Sequence, residues 1–205
     1  MKVAVLMGSD SDWPILKPAV ELLKQFGIEP AVKVASAHRT PSNVRDFVVA
    51  ADRSEDVAAF IVAAGAAAHL AGVVASYTIK PVIGIPVNAT PLNGMDALLS
   101  TVQMPSGVPV ATMAVNGAKN AAIFAAEILA VKDPTIAKAL VDYRKKMVLE
   151  VEAKAERVAA QGRPPRGAKK SDPPKGRTPS AHSKKTAKKP GRTVTNIGRR
   201  SRRTR

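Results

Sequence analysis

The chain has 205 residues, no cysteine, 45% hydrophobic but only 3% aromatic residues, and a formal charge of +16. The absence of cysteine excludes disulfides, thiolate nucleophiles, iron–sulfur clusters and cysteine-ligated zinc. The charge is unevenly placed: residues 1–159 hold 16 Lys and Arg against 15 Asp and Glu, whereas residues 160–205 hold 16 against one.

A body of about 160 residues is enough to enclose one sizeable core. The arm over 160–205 has only Val194 and Ile197 as sizeable aliphatics, too little apolar surface to offset the entropy of ordering. The expected organisation is a folded domain over 1–159 and a disordered Lys/Arg/Pro-rich arm over 160–205. The arm also lacks Phe, Tyr and Trp, so any grip on polyanions is expected to be electrostatic and sequence-blind.

Along the chain, Met1–Met7 runs into Gly8, too short an apolar stretch for a signal peptide, which makes a cytoplasmic location the expectation. Val3–Met7 reads as a first strand. Asp12-Trp13-Pro14 then places an acceptor at an N-cap and a proline in the first turn of a helix that stops at Gly27. A second strand is predicted at Ala31–Ala35, and Thr40-Pro41-Ser42-Asn43 opens a helix to about Arg53. A third strand at Ala59–Ala63 leads to a helix over Ala67–Ser76. Between Asp56 and Lys80 lie 23 residues without formal charge, long enough to span a bilayer. Gly65, His69, Gly72, Ser76 and Thr78 interrupt that stretch and alanine dominates it, so a buried strand and a small-residue helix are expected instead, and no membrane span. Val82–Ile85 and Val110–Val115 complete the strands. Helices are predicted over Gly94–Val102, Ala118–Val131, and from Asp133-Pro134 to about Ala159, the last with an apolar stripe of Ala137, Leu140, Val141, Met147, Val148 and Val151.

Most of these strands are near-continuous hydrophobic runs, the pattern of parallel strands buried on both faces. The alternation predicts a three-layer α/β fold, flavodoxin-like or Rossmann-like, with helices on both faces and a long C-terminal helix. Ligand sites belong at the carboxyl ends of its strands.

Three loops follow the first three strands. Gly8-Ser9-Asp10-Ser11-Asp12 lets N–H groups and hydroxyls approach an anion at a helix start; a simple turn and cap explains it equally well. It lacks the Gly-rich dinucleotide and P-loop patterns. Ser36-Ala37-His38-Arg39-Thr40-Pro41 sets an imidazole, which exchanges protons near neutral pH, beside a guanidinium that can hold phosphate or carboxylate. The alternative is that His38 caps the next helix and Arg39 faces solvent. In Ala64-Gly65-Ala66-Ala67-Ala68-His69-Leu70 only small groups precede His69, which reads as a packed or interface residue. Two histidines without an acidic partner at ligand spacing predict no metal site. Asn88–Asp96 and Thr101–Pro109 read as walls of a ligand site or of a subunit interface.

In order and spacing, Met7-Gly8-Ser9-Asp10-Ser11-Asp12-Trp13, Ser36–Pro41, Ala66-Ala67-Ala68-His69-Leu70, Pro91–Asp96 and Val102-Gln103-Met104-Pro105 resemble the class I N5-carboxyaminoimidazole ribonucleotide mutases of purine biosynthesis, over residues 1 to about 158. The resemblance implies transfer of a carboxyl group from an exocyclic nitrogen to a ring carbon of a ribonucleotide, with no metal or organic cofactor, in a homo-octamer. It implies that Ser9, Asp12 and Arg39 bind the nucleotide, that Ser36 lies beside the carboxylate and that Ser11 lines the first loop. His38 is implied as general acid and base. Gly65, Ala66, Ala67 and Leu70 are implied at the substrate, with His69 behind them. The family's third loop is commonly a glycine pair followed by Ala-Ala-His-Leu-Pro-Gly; here Ala66-Ala67 and Ala71 stand in, and the extra methyl is expected to narrow the pocket. Two rivals remain: a class II carboxylase that joins CO2 to aminoimidazole ribonucleotide, disfavoured by the Ala-Ala-His-Leu loop, and a polyanion-binding protein acting through its arm.

Overall fold

A computed structural model describes residues 1–162; from residue 163 onward the basic arm lies outside the described residues. Five strands, β1 (Lys2–Met7), β2 (Glu29–Val34), β3 (Val57–Gly65), β4 (Val82–Val87) and β5 (Ala111–Thr112), form one parallel sheet in the order β2-β1-β3-β4-β5. This is the flavodoxin-like order, with its switch point between β1 and β3. Six helices connect them: α1 (Trp13–Gln25), α2 (Pro41–Arg53), α3 (Leu70–Ala75), α4 (Met95–Val102), α5 (Ala118–Ala130) and α6 (Pro134–Gln161).

The strand period of two sorts the core into two layers. Val3, Val5 and Met7 of β1 and Ile61 and Ala63 of β3 face α1 and α5, with Ile136 and Leu140 of α6 packed behind. Ala4 and Leu6 of β1 and Phe60 and Val62 of β3 face Val44 and Val48 of α2 and Leu70 and Val74 of α3. Burying each large side chain of this kind contributes about 1.5–3 kcal/mol. The uncharged stretch between Asp56 and Lys80 is thereby accounted for as β3 and a six-residue helix. Among the described residues no helix is long and apolar enough to cross a membrane.

The sheet edges depart from the sequence reading. The hydrophobic run at the second strand is not covered on both faces: β2 is an edge strand, and Val32 and Val34 stay about half exposed. The fifth strand shrinks from six expected residues to two. Its chain still follows β4, through Met113 N–H to Gly84 C=O (2.8 Å) and Asn116 N–H to Pro86 C=O (2.9 Å). Pro86 has no N–H to donate in return, and the Ala114 carbonyl accepts Gly117 N–H instead. The third helix starts at Leu70 and not Ala67, because residues 66–69 are spent on tight turns.

Helix ends are closed by local chemistry. Gly27 takes φ +77° just beyond α1, where a Cβ would be strained. Asp133 caps α6 by accepting Thr135 N–H at 2.8 Å. Lys80 closes α2 from a distance: its Nζ donates to the carbonyls of Ala51 (3.0 Å) and Ser54 (2.6 Å), and Thr78 bonds Asp52 alongside. A cation on terminal carbonyls satisfies acceptors and opposes the helix dipole. Lys80→Met, which keeps the stem and removes the charge, is expected to lower unfolding free energy by about 1–2 kcal/mol. A denaturant midpoint unchanged from the native chain would exclude this tie.

Candidate active site

The first three strands end side by side, and their loops converge. After β1, Ser9 heads a single 3-10 turn over Asp10–Asp12. Ser11 N–H donates to Ser9 Oγ (3.3 Å) and Ser9 N–H donates to Asp12 Oδ2 (3.1 Å), a reciprocal capping box. Asp12 therefore does not cap α1 as its position suggests; its carboxylate turns back into the loop, and α1 has no side-chain cap. Asp12 is buried, with 5% of its surface exposed. Loss of water pushes its carboxyl pKa above the ordinary value, against the opposing pull of the Ser9 and Gly8 N–H groups.

After β2, residues 36–40 form a turn braced by its own side chains. Ser36 N–H donates to Thr40 Oγ1 (2.9 Å), the Thr40 hydroxyl donates to Ser36 C=O (3.2 Å), and Arg39 N–H donates to Ser36 Oγ (3.2 Å). Thr40 was expected only to open α2; its hydroxyl makes no cap and shapes the loop instead. The turn leaves His38 and Arg39 exposed at its crest.

After β3 the chain bends sharply. Ala66 takes φ +52°, a left-handed conformation that costs a residue with a Cβ roughly 1–2 kcal/mol. Ala68 N–H then donates to Ala66 C=O (2.9 Å) and His69 N–H to Ala67 C=O (2.8 Å). At Gly65 a Cβ would stand 2.6 Å from the Ala89 Cβ, so only glycine lets the strand end meet the loop after β4. The bend delivers His69 to His38: His69 Nδ1 lies 2.8 Å from His38 Nε2, and the rings meet edge to face at 5.0 Å. One of these nitrogens carries the hydrogen and the other the lone pair.

The loops enclose a cavity of about 220 Å³. Ser9, Ser11, Asp12, Ser36, His38, Arg39, Gly65, Ala66, Ala67 and Leu70 all line it, together with Gly8, Ala37, Ala64 and Ala89. His69 is the one predicted site residue off its wall; it reaches the cavity through His38. Ala37, Ala64 and Ala89 carried no chemical signal in the sequence, since methyl groups announce only packing. The two predicted walls fare unequally. Asn88–Asp96 supplies Ala89 alone, and Thr101–Pro109 supplies nothing, its Met104 packing over Gly72.

Strand order divides the cavity chemically. Over β2 and β1 stand Ser9, Ser11, Asp12, Ser36 and Arg39; over β3 and β4 stand Ala64, Gly65, Ala66, Ala67, Leu70 and Ala89. The polar side continues into a neighbouring depression bounded by Ser9, Asp10, Ser36, Arg39, Thr40 and Asn43. A molecule with an anionic, hydroxyl-rich end and a flat apolar end suits such a division. Among the described residues no three His, Asp or Glu side chains gather as a metal would require.

Fold and site together define a doubly wound α/β protein with a polar-to-apolar cleft at the carboxyl edge of its sheet. The family model described as AIRC, AIR carboxylase, matches residues 2–150. Among curated relatives, the N5-carboxyaminoimidazole ribonucleotide mutase of Thermotoga maritima is 49% identical over 161 residues, 78% of this chain and 94% of that protein. The protein of the same description from Methanocaldococcus jannaschii is 54% identical over 156 residues, 76% of this chain and 96% of its own length. Among solved structures, Treponema denticola PurE matches with a TM-score of 0.70 and 29% identity, over 76% of this chain and 97% of that one. The chain belongs to the AIR carboxylase family.

The buried Asp12 sets a sign for the effect of pH. With its pKa raised above 3.8 in the folded chain, the folded state holds a proton that the unfolded state has already released. The stability this group contributes is present below pH 3.8 and is lost as pH rises through the raised value. The unfolding free energy of the native chain, relative to Asp12→Asn, is therefore expected to fall through that window and level off above it. Parallel pH profiles from denaturant titrations would exclude the effect.

Proposed function

We infer that the chain converts N5-carboxyaminoimidazole ribonucleotide to 4-carboxyaminoimidazole ribonucleotide, an isomerisation in purine biosynthesis. The observation that carries this reading is the placement of His38 on the wall of one cavity with Ser9, Asp12, Ser36 and Arg39. Relatives about half identical over most of the chain carry the mutase description, and this does not favour the carboxylase or the purely polyanion-binding alternative.

Each residue takes a role from its chemistry. Ser9, Ser11 and Arg39 supply donors for the phosphate, and Asp12 an acceptor for a ribose hydroxyl. Ser36 stands beside the migrating carboxyl group. Gly65, Ala66, Ala67 and Leu70 face the heterocycle and exclude water. His38 protonates the exocyclic nitrogen as the nitrogen–carbon bond breaks, leaving its electron pair on nitrogen and releasing CO2 within the cavity. The ring carbon then attacks that CO2, and His38 takes the proton the carbon gives up. One imidazole thus donates and recovers one proton, and no net proton is exchanged. His69 holds His38 by their shared hydrogen bond. This sequence calls for no cofactor.

His38→Asn keeps a planar polar group but cannot cycle a proton, so turnover is expected to drop at least about 100-fold with substrate binding retained. Native turnover that depends on added bicarbonate would favour the carboxylase and overturn the mutase reading.

A homo-octamer is the proposed assembly. It is supported by Leu92, Met95, Leu99 and Val102 on and beside α4, and by Val141, Val148 and Val151 on α6, all about half exposed or more. A cytoplasmic location accompanies it, since a phosphorylated substrate does not cross a bilayer unaided. The domain is proposed to end near residue 159, and the arm beyond it to bind polyanions non-specifically. Its charge of 16 Lys and Arg against one Asp supports this. One comparison checks assembly and arm together. Deleting residues 163–205, which leaves α6 whole, is expected to keep turnover and the octameric mass by light scattering while abolishing salt-sensitive retention on heparin. A monomer, or retention that survives deletion, would overturn the corresponding part.

A further inference from the structure

We propose that Thr40 is a positioning residue for the reaction, holding the loop over residues 36–40 closed so that His38 and the Ser36 hydroxyl stand correctly at the cavity; the inference rests on the mutase reading above. Four hydrogen bonds close this loop. Thr40 N–H and the Thr40 hydroxyl both donate to Ser36 C=O, at 2.9 and 3.2 Å, and Thr40 Oγ1 accepts Ser36 N–H at 2.9 Å. Arg39 N–H completes the set by donating to Ser36 Oγ at 3.2 Å. Three of the four therefore join the two ends of the loop, and two of those belong to the Thr40 hydroxyl. His38 stands between these ends, exposed on the crest, and lines the cavity with Ser36. Among the described residues no hydrogen bond of its own N–H or C=O fixes it, so the closure locates its backbone and His69 its ring.

The direction of these bonds separates positioning from helix capping and from ligand binding. Thr40 occupies the N-cap of α2, where a threonine hydroxyl ordinarily accepts an N–H from the first turn. Here it makes no such bond; it turns back to Ser36, and α2 goes without a side-chain cap. Its one hydrogen is spent on a carbonyl, so it has none to offer a ligand. The opposite holds for Ser36. Its Oγ is occupied as an acceptor by Arg39 N–H, and its own hydrogen is left to donate to a carboxylate in the cavity it lines. All these side-chain bonds lie on the exposed rim, where water competes and each adds little to stability. What they fix is direction. The His38 imidazole turns on only two side-chain torsions and cannot make good a shifted backbone, whereas the Arg39 guanidinium on its longer stem can regain its place. Loss of the closure is therefore expressed in the chemical step more than in binding.

The test compares Thr40→Val, which keeps the shape and removes the hydroxyl, with Thr40→Ser, which keeps the hydroxyl, both in the full chain. Thr40→Val is expected to lower kcat by about 10-fold or more while KM stays within about 3-fold of the native value, because a small displacement of a reacting group is costly. Thr40→Ser is expected to keep kcat within about 3-fold of native, its hydroxyl restoring the closure. Thr40→Ala, which lacks the hydroxyl without the branched side chain, carries the expectation of Thr40→Val should that variant not fold. Native kcat in a folded Thr40→Val or Thr40→Ala chain overturns the proposal whichever way the melting temperature moves, since a merely structural role alters stability alone. A Thr40→Ser chain as slow as Thr40→Val overturns it as well, because the hydroxyl is then not what matters. A native chain that converts no substrate removes the mutase reading itself and the proposal with it.

Discussion

The central strands of this protein are buried on both faces, and that constraint shapes everything else in the molecule. β1 and β3 send alternate side chains into two helical layers, so an unpaired polar group along most of their length would lose water and gain no partner. Polar chemistry is therefore displaced to the loops beyond their carboxyl ends. Ser9 and Asp12 sit there, beyond β1, and Ser36, His38 and Arg39 stand beside them beyond the neighbouring edge strand β2. A rigid sheet thus positions groups that the sheet itself could not contain.

The same topology separates two kinds of surface. Since β2 and β1 lie on one side of the switch point and β3 and β4 on the other, the composition of each loop becomes a place in the cavity. Loops rich in serine, aspartate and arginine face the sugar phosphate in the proposed reaction, and the alanine-rich bend faces the heterocycle. His38 belongs to the polar side by sequence, yet it is joined to the apolar bend by its contact with His69. The imidazole that the proposed reaction assigns to proton transfer is thereby held at the boundary between the polar and apolar sides of the cavity.

A single chain leaves this site partly open, with His38, His69 and Arg39 all exposed. Carbon dioxide released into an open cleft competes with escape to solvent, so the proposed chemistry favours a more enclosed site. The uncovered apolar residues on α4 and α6 are the physical motive for the proposed assembly.

Much of this was readable from residue order alone. The hydrophobic runs at Val3–Met7 and Ala59–Ala63 announced doubly buried strands because their neighbours in sequence leave no polar face. The loops that follow announced a candidate site because serine, aspartate and histidine have no place in such a core. What could not be read is whatever depends on groups distant in sequence or on edges. Val32 and Val34 look like core residues until the strand order leaves β2 with a single neighbour. The strand expected over Val110–Val115 looks continuous until Pro86 withholds a donor across the ladder. Asp12 looks like a helix cap until its carboxylate turns to Ser9. Composition and local pattern determined the layers, the strands and the loops that line the cavity, because burial and backbone propensity act on neighbours. Only the tertiary structure decided that His38 meets His69 across 31 residues and that Ala66 bends with positive φ, because those depend on how strand ends are brought together in space.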